Sequence, residues 1–258
     1  MRVDEQYPIM EYDKAREAVI EPGKGEILAR LPKKLALCFF QDALEEMESR
    51  GELEIICVQP SENGARKFYR TLGAAEPVAV VHPGCGASYA AITLERCLAW
   101  GAKQVLACGG AGVLVDDLPM GALLVPERAL RDEGTSYHYL PAAREVELSP
   151  AGISALCRTL EREGRVYRRV KTWTTDGFYR ETRARAESRK REGCQAVEME
   201  CAAFAAVCQF RGAGFAQLLY SGDTLAGPEW QKRDWMNQTA LRIEALRLTL
   251  LALREWEE

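Results

Sequence analysis

The chain has few of the residues that bind metals and none of the spacings that make metal or redox sites. Two histidines occur in 258 residues, His82 and His138, and neither has a neighbour pattern for a metal. No metal site is expected. The nine cysteines contain no C-x-x-C pair, which argues against zinc and dithiol redox motifs. Cys38, Cys57, Cys97, Cys157, Cys201 and Cys208 sit in apolar runs and read as small core hydrophobes in a reducing cytoplasm. No apolar run approaches the ~20 residues that cross a bilayer, and Met1-Arg2-Val3-Asp4-Glu5 is nothing like a signal peptide. The chain therefore reads as cytoplasmic, without a membrane partner. Positive charge is not in excess either: the formal net charge is -4, against the basic face that sequence-independent nucleic-acid binding needs. The Gly-rich stretches lack the lysine of a phosphate-binding P-loop, and no G-x-S-x-G turn is present.

What remains is a globular composition, 47% hydrophobic and 28% charged. No internal repeat or low-complexity linker divides it, so residues 1–258 read as one α/β domain. Residues 1–34 are polar, with a turn signal at Glu21-Pro22-Gly23-Lys24-Gly25. Residues 35–40 read as a buried strand, and a helix from Gln41 puts Leu44 and Met47 inward until Gly51. Residues 53–58 are a second strand, and 60–77 a polar connection carrying Arg66, Lys67 and Arg70. The clearest unit follows. Strand 78–82 leads into the Gly-rich turn Pro83-Gly84-Cys85-Gly86-Ala87-Ser88, then a helix to Trp100 and a strand at 103–107. That βαβ crossover predicts parallel strands. The second strand ends in another Gly-rich stretch, residues 108–114, and ligands collect at such strand ends. Two Gly-rich turns there imply one shared pocket.

Further on, residues 122–126 are a short strand and 131–139 a polar, aromatic loop containing His138. Ser149 caps a helix with Pro150 at its first position. Residues 166–174 are a strand, and an Arg-rich helix from Arg183 reads as a solvated face. A strand at 215–220 delivers Ser221-Gly222-Asp223 to a loop, and a long amphipathic helix runs from about Trp230.

The segment Val197-Glu198-Met199-Glu200 precedes a run, Cys201 to Ala206, that is apolar all round and suits a buried helix. If the segment is extended, both carboxylates face one side and Met199 the other. Acids at the mouth of a buried helix need a polar partner, either a sugar diol or a buried Arg. Asp223 is a general acid or a polar cap. Phe178 and Tyr179 stack on a flat ring or close a core edge.

Gly84-x-Gly86-x-Ser88, Trp100-Gly101-Ala102-Lys103, Gly109-Gly110-Ala111-Gly112-Val113-Leu114 and Val197-Glu198-Met199-Glu200-x-Ala202-Ala203 together resemble the nucleoside phosphorylase superfamily. Residues 131–136 and 174–179 resemble its uridine-phosphorylase-like branch. The resemblance covers roughly residues 78 to 225, and the first 60 residues match poorly. It implies one α/β domain with a central twisted mixed β-sheet surrounded by helices, assembled as a dimer, trimer or hexamer. It implies a pentosyltransferase of purine or pyrimidine salvage that needs no cofactor and takes inorganic phosphate as co-substrate. Met199 would pack on the ribose, Glu200 would accept its 2′- and 3′-hydroxyls, and Glu198 would support that site. Phe178 and Tyr179 would contact the base, and Asp223 would protonate it on leaving. Gly84, Ser88, Gly110 and Arg66 are the phosphate candidates.

The chain departs from the family at the phosphate end. Its Gly-x-Pro-x-Arg loop is missing, Ala107 stands where an Arg is expected, and Gly110 where a Ser or Thr is expected. Thr182 and Ala184 replace the uracil-reading Gln and Arg. Phosphorolysis of a nucleoside is the first expectation. Hydrolysis is the second, with Glu21 or Glu26 as a possible activator of water. A nucleoside-binding protein without turnover is the third.

Overall fold

The computed structural model describes residues 7–24 and 27–257. Glu26, one of the two water-activating candidates, lies outside these. Strand β1 (Lys34–Cys38) is buried from Leu35 onward, as a strand covered on both faces must be. It lies between β4 (Ala79–Val81) and β5 (Gln104–Val113) and pairs parallel with both. The expected crossover is therefore present, with β1 inserted between its strands. Helix α1 (Gln41–Ser49) buries Leu44 and Met47, and Gly51 at φ 70 carries the chain out. It is followed by β2 (Leu53–Gln59), and helix α2 (Ala87–Ala99) makes the crossover from β4 to β5.

The connection expected at 60–77 contains a strand instead. β3 (Arg66–Thr71) pairs antiparallel with β2 and with β4. Its charges hide the pattern in the sequence, yet Phe68 and Tyr69 are buried while Lys67 and Arg70 face out and pair with Glu48 and Glu54. The second Gly-rich stretch is likewise not a turn: residues 108–113 continue β5.

Strand β6 (Leu123–Asp132) is longer than expected and pairs with a short β7 (Glu145–Glu147) that the sequence reading missed. Helix α3 (Pro150–Arg162) starts as expected, with Ser149 Oγ accepting the Gly152 N–H at 3.4 Å. Then come β8 (Tyr167–Thr175), the basic helix α4 (Arg183–Arg191), β9 (Cys194–Glu198), the buried helix α5 (Cys201–Arg211) and β10 (Gly214–Thr224). Asp223 belongs to β10, past a register irregularity that follows Ser221, and not to a loop. Helix α6 (Thr239–Glu255) begins later than expected. Arg233 and Asp234 hold positive φ near 50°, which no helix continues through.

One mixed sheet results, with order β10-β6-β8-β9-β5-β1-β4-β3-β2. β10 also pairs with β5, so β5, β9, β8, β6 and β10 close into a ring while β1, β4, β3 and β2 extend as an arm. Closure is possible because β5 is long: its first half runs between β1 and β10, and Gly112 and Val113 reach β9.

Trp256 locks the chain end to this frame. It is buried, and a Cβ on Gly152 or Gly214 would stand 2.5 or 2.6 Å from its ring, so bare backbone forms its slot. Trp256→Ala should cost about 3–5 kcal/mol, read as a lower midpoint in urea. An unchanged midpoint would contradict this packing.

Candidate active site

The carboxyl end of β9, the β4–α2 turn and the last residues of β5 and β10 meet around a cavity of 260 Å³. Glu198, Met199, Glu200, Gly110, Phe178 and Asp223 all line it. Glu198, the last residue of β9, and Glu200, which caps α5, reach different partners, because the strand ends at Glu198 and the backbone turns. The extended arrangement, with both carboxylates on one side, does not hold. Glu198 folds back on the amino end of α5, accepting the N–H groups of Glu200 (2.8 Å) and Cys201 (2.6 Å). It also accepts the hydroxyls of Thr174 (2.6 Å) and Thr172 (3.3 Å). Burial pushes Glu198 up, and these four donors oppose the shift.

Glu200 reaches across to the other crossover. Its Oε1 accepts the Gly86 N–H at 2.5 Å, where α2 begins. Gly84 and Gly86 hold φ 89 and 93, a conformation that suits glycine, and this is how the turn presents that amide. Among the described residues no arginine meets either acid; backbone amides and hydroxyls do. Burial, then the charge of Glu198, push Glu200 up to about 8. A carboxylate has roughly four lone-pair directions, so Glu200 keeps acceptor capacity toward the cavity. Cys85 lies against it, and burial and Glu200 push that thiol up to about 11.

A second pair of carboxyls stands at the other end. Asp223 Oδ2 accepts the Trp230 indole N–H at 2.6 Å. Glu181 follows the 3₁₀ turn Phe178–Arg180 and lines the same cavity. Burial, then Asp223, push Glu181 up to about 7. Arg183 of α4 donates to the carbonyls of Leu225 (2.7 Å) and Pro228 (2.8 Å), holding the loop of Trp230 beside this pair. Gly112 makes room for it: a Cβ there would lie 2.9 Å from Val197 and 3.4 Å from Asp223 Oδ1.

The remaining wall is apolar or neutral: Phe39, Phe40, Gly109, Gln217, Tyr220 and Trp235. Gln217 is 1% exposed and its Oε1 has no hydrogen-bond partner among the described residues. It pairs in register with Ala107, the position where the family resemblance calls for Arg. Arg242 also borders the cavity, but its guanidinium is engaged by Asp42 (3.2 Å), Tyr220 and the Trp235 carbonyl.

Several expected residues fall elsewhere. Tyr179 is 93% exposed, edge-on to Phe178, and does not line the cavity. Ser88 is exposed, and Gly84 lies behind the turn with its N–H on His82 Nδ1. Arg66 lies in a neighbouring cleft. His138 and Glu21 border a different cavity, where Glu21 pairs with Arg211 at 3.5 Å. Sequence reasoning missed Glu181, Gln217, Cys85, Phe39 and Phe40. The strand-end rule, applied to β1, points to the two phenylalanines.

Two outcomes follow. Glu200 is raised in the folded state, so folding loses stability as pH rises from about 4.5 toward 8. Glu200→Gln should therefore raise the melting temperature, by an amount that grows across that window and then levels. A gain independent of pH would contradict the burial argument. Glu181 near 7 is a proton donor lost on the alkaline side. Glu181→Gln should flatten the alkaline limb of the activity profile and lower kcat by about 10²–10⁴-fold, and Asp223→Asn should move that limb to lower pH. Retention of the limb in the Gln variant would assign it to another group.

Comparison with known proteins places this geometry. A uridine phosphorylase of Thermococcus kodakarensis is 33% identical over 107 residues, 40% of this chain and 37% of that protein. The chain thus aligns with little more than a third of that relative's length. Among solved structures, a uridine phosphorylase from Vibrio fischeri superposes with TM-score 0.71 at 22% identity, covering 92% of this chain and 94% of the other. An AMP nucleosidase from Bacteroides thetaiotaomicron gives 0.71 at 21%, covering 87% and 88%. A purine nucleoside phosphorylase from Toxoplasma gondii gives 0.70 at 19%, covering 88% and 92%. These likenesses establish a common fold. The family profile described as the phosphorylase superfamily matches residues 36–253, so the chain belongs to that superfamily.

Proposed function

We propose that the protein cleaves the N-glycosidic bond of a nucleoside. The observation that carries this reading is the Glu200 carboxylate, buried on the Gly86 amide and open to the cavity beside Met199. A ribose diol donates to that carboxylate and Met199 packs on the ring. The carboxyl pair Glu181 and Asp223, with Phe178, meets the base. As the C1′–N bond breaks, its electron pair goes to the base and a proton from Glu181 neutralises it. Positive charge builds on the sugar and draws the Glu200 carboxyl, which burial holds neutral up to about 8, toward the ionised form that opposes it. Two acids facing the base suit a ring with hydrogen-bond donors on its edge, in keeping with the loss of the uracil-reading residues at Thr182 and Ala184.

Membership of the phosphorylase superfamily supports inorganic phosphate as the nucleophile, giving free base and ribose 1-phosphate. One observation favours water instead. Arg242 is already paired with Asp42, and among the described residues lining the cavity it is the single cation. Gln217 offers an unpaired amide oxygen that can hold a water. Glu21 stands outside this cavity and does not serve that role in the conformation described.

The free cysteines fit an enzyme of the reducing cytoplasm. Exposed Val19, Ile20 and Ile92 beside the larger cavity fit a homo-oligomer, with that face between copies. Incubation with purine and pyrimidine nucleosides, with and without phosphate, separates the nucleophiles. Base release that requires phosphate and yields ribose 1-phosphate supports phosphorolysis. Release to free ribose without phosphate assigns hydrolysis. A protein that binds nucleosides and releases no base under either condition would sink the reading.

A further inference from the structure

The turn that offers the Gly86 amide to Glu200 is built from residues with little conformational preference of their own. Gly84 and Gly86 hold φ 89 and 93, and glycine loses more freedom than any other residue when fixed. Neighbouring side chains supply the constraint. The Tyr89 ring occupies the space where a Cβ on Gly84 would stand, and Thr93 Oγ1 donates to the Pro83 carbonyl at 2.7 Å. Both of these belong to α2. From the strand side, His82 Nδ1 accepts the Gly84 N–H at 3.1 Å. An acceptor two residues before the amide is the geometry of an Asx turn, made here by an imidazole.

That bond defines the state of the ring. A neutral imidazole that accepts on Nδ1 carries its proton on Nε2, and the protonated ring has no acceptor at all. Burial lowers His82, the Phe39 backbone acts against this, and the charge of Arg66 lowers it further. The neutral form is therefore the native one at neutral pH. The ring stands edge-on to Phe39, with centroids 6.0 Å apart, and borders both the main cavity and the cleft of Arg66. Its one basic nitrogen is engaged by Gly84, so it has no lone pair for a substrate.

We propose that His82 is a positioning residue for Glu200: its Nδ1 fixes the glycine turn, and the turn sets the Gly86 N–H that holds the buried carboxyl. The influence of His82 on a nucleoside rests on Glu200 being the ribose acceptor; its hold on the carboxyl does not. Glu200 needs the amide most when it is ionised, because a buried charge depends on its donors more than a neutral carboxyl does. The ionisable groups next to Glu200 are Glu198, Cys85 and Cys201, and Arg66 acts on His82. Lys67, Tyr69 and Tyr89 line the cleft that His82 borders. All of these are common to the proteins of a double-mutant cycle, so their own titration cancels in the coupling between His82 and Glu200.

The test is that cycle, read as melting temperature of the full chain: wild type, His82→Leu, Glu200→Gln and both together, at about pH 5.5 and about pH 9. Glu200, raised to about 8, is neutral at the first and ionised at the second. At the higher pH, His82→Leu is expected to lower the melting temperature by about 2–6 °C more in the presence of Glu200 than in the Glu200→Gln background. This difference closes at the lower pH. His82→Asn, which keeps an acceptor for the Gly84 N–H, should restore the wild-type value. Equal cost in both backgrounds at both pH values overturns the proposal and leaves His82 as a packing residue. An Asn variant that behaves like the Leu variant overturns it as well. His82→Gln, whose amide stands one methylene further out, takes the place of a leucine variant that fails to fold. The ligand arm measures ribonucleoside affinity, expected to fall about 10-fold in His82→Leu and to be unchanged by that substitution in the Glu200→Gln background. Coupling in the melts without ribonucleoside binding upholds the proposal and counts against the nucleoside reading alone.

Discussion

The Glu200 carboxylate on the Gly86 amide is the contact on which the rest of the site depends. It joins the β9–α5 connection to the β4–α2 turn, two parts of the chain more than a hundred residues apart in sequence. Glu198 performs the local counterpart, satisfying the first amides of its own helix α5. Each carboxylate thus stands at a helix amino end, where unpaired N–H groups and the helix dipole favour negative charge. This explains how two acids survive burial without an arginine. It also divides their work: Glu198 is consumed by the fold, while Glu200 retains capacity toward the cavity.

Charge is distributed along the cavity in a way that constrains chemistry. At one end Glu200 is raised by burial to about 8, and at the other Glu181 is raised to about 7 by burial and Asp223. Between them the wall offers aromatic rings, glycine backbone and the Gln217 amide. Among the described residues the one cation lining this cavity is Arg242, which is paired with Asp42, while Arg66 lies in a neighbouring cleft. On the proposed reading the first carboxyl, Glu200, serves the sugar and the second, Glu181, protonates the departing base.

Much of this was legible in the chain. The alternation of apolar runs and Gly-rich punctuation located β1, α1, β4, α2 and α5, and the Glu-Met-Glu segment pointed to residues that line the cavity. Strand β3 was not legible because its exposed face carries lysine and arginine, which read as a connection until β2 and β4 pair with it. The Gly-rich half of β5 lacks the side chains that mark a strand, yet pairing with β10 and β9 fixes it as one. Ring closure is a matter of register between distant strands, which composition does not encode. Glu181 looked like one more acid in a polar stretch; burial beside Asp223 makes it chemically distinct.

The central claim, that Glu200 holds a ribose diol, is tested most directly by a thermodynamic cycle. Affinities of a ribonucleoside and its 2′,3′-dideoxy analogue are measured for the wild-type protein and for Glu200→Gln. The account predicts that the wild type discriminates between the two ligands by about 10-fold or more, as expected for two hydrogen bonds to the carboxyl, and that the variant loses most of that discrimination. Equal discrimination by both proteins would place the diol elsewhere and contradict the account.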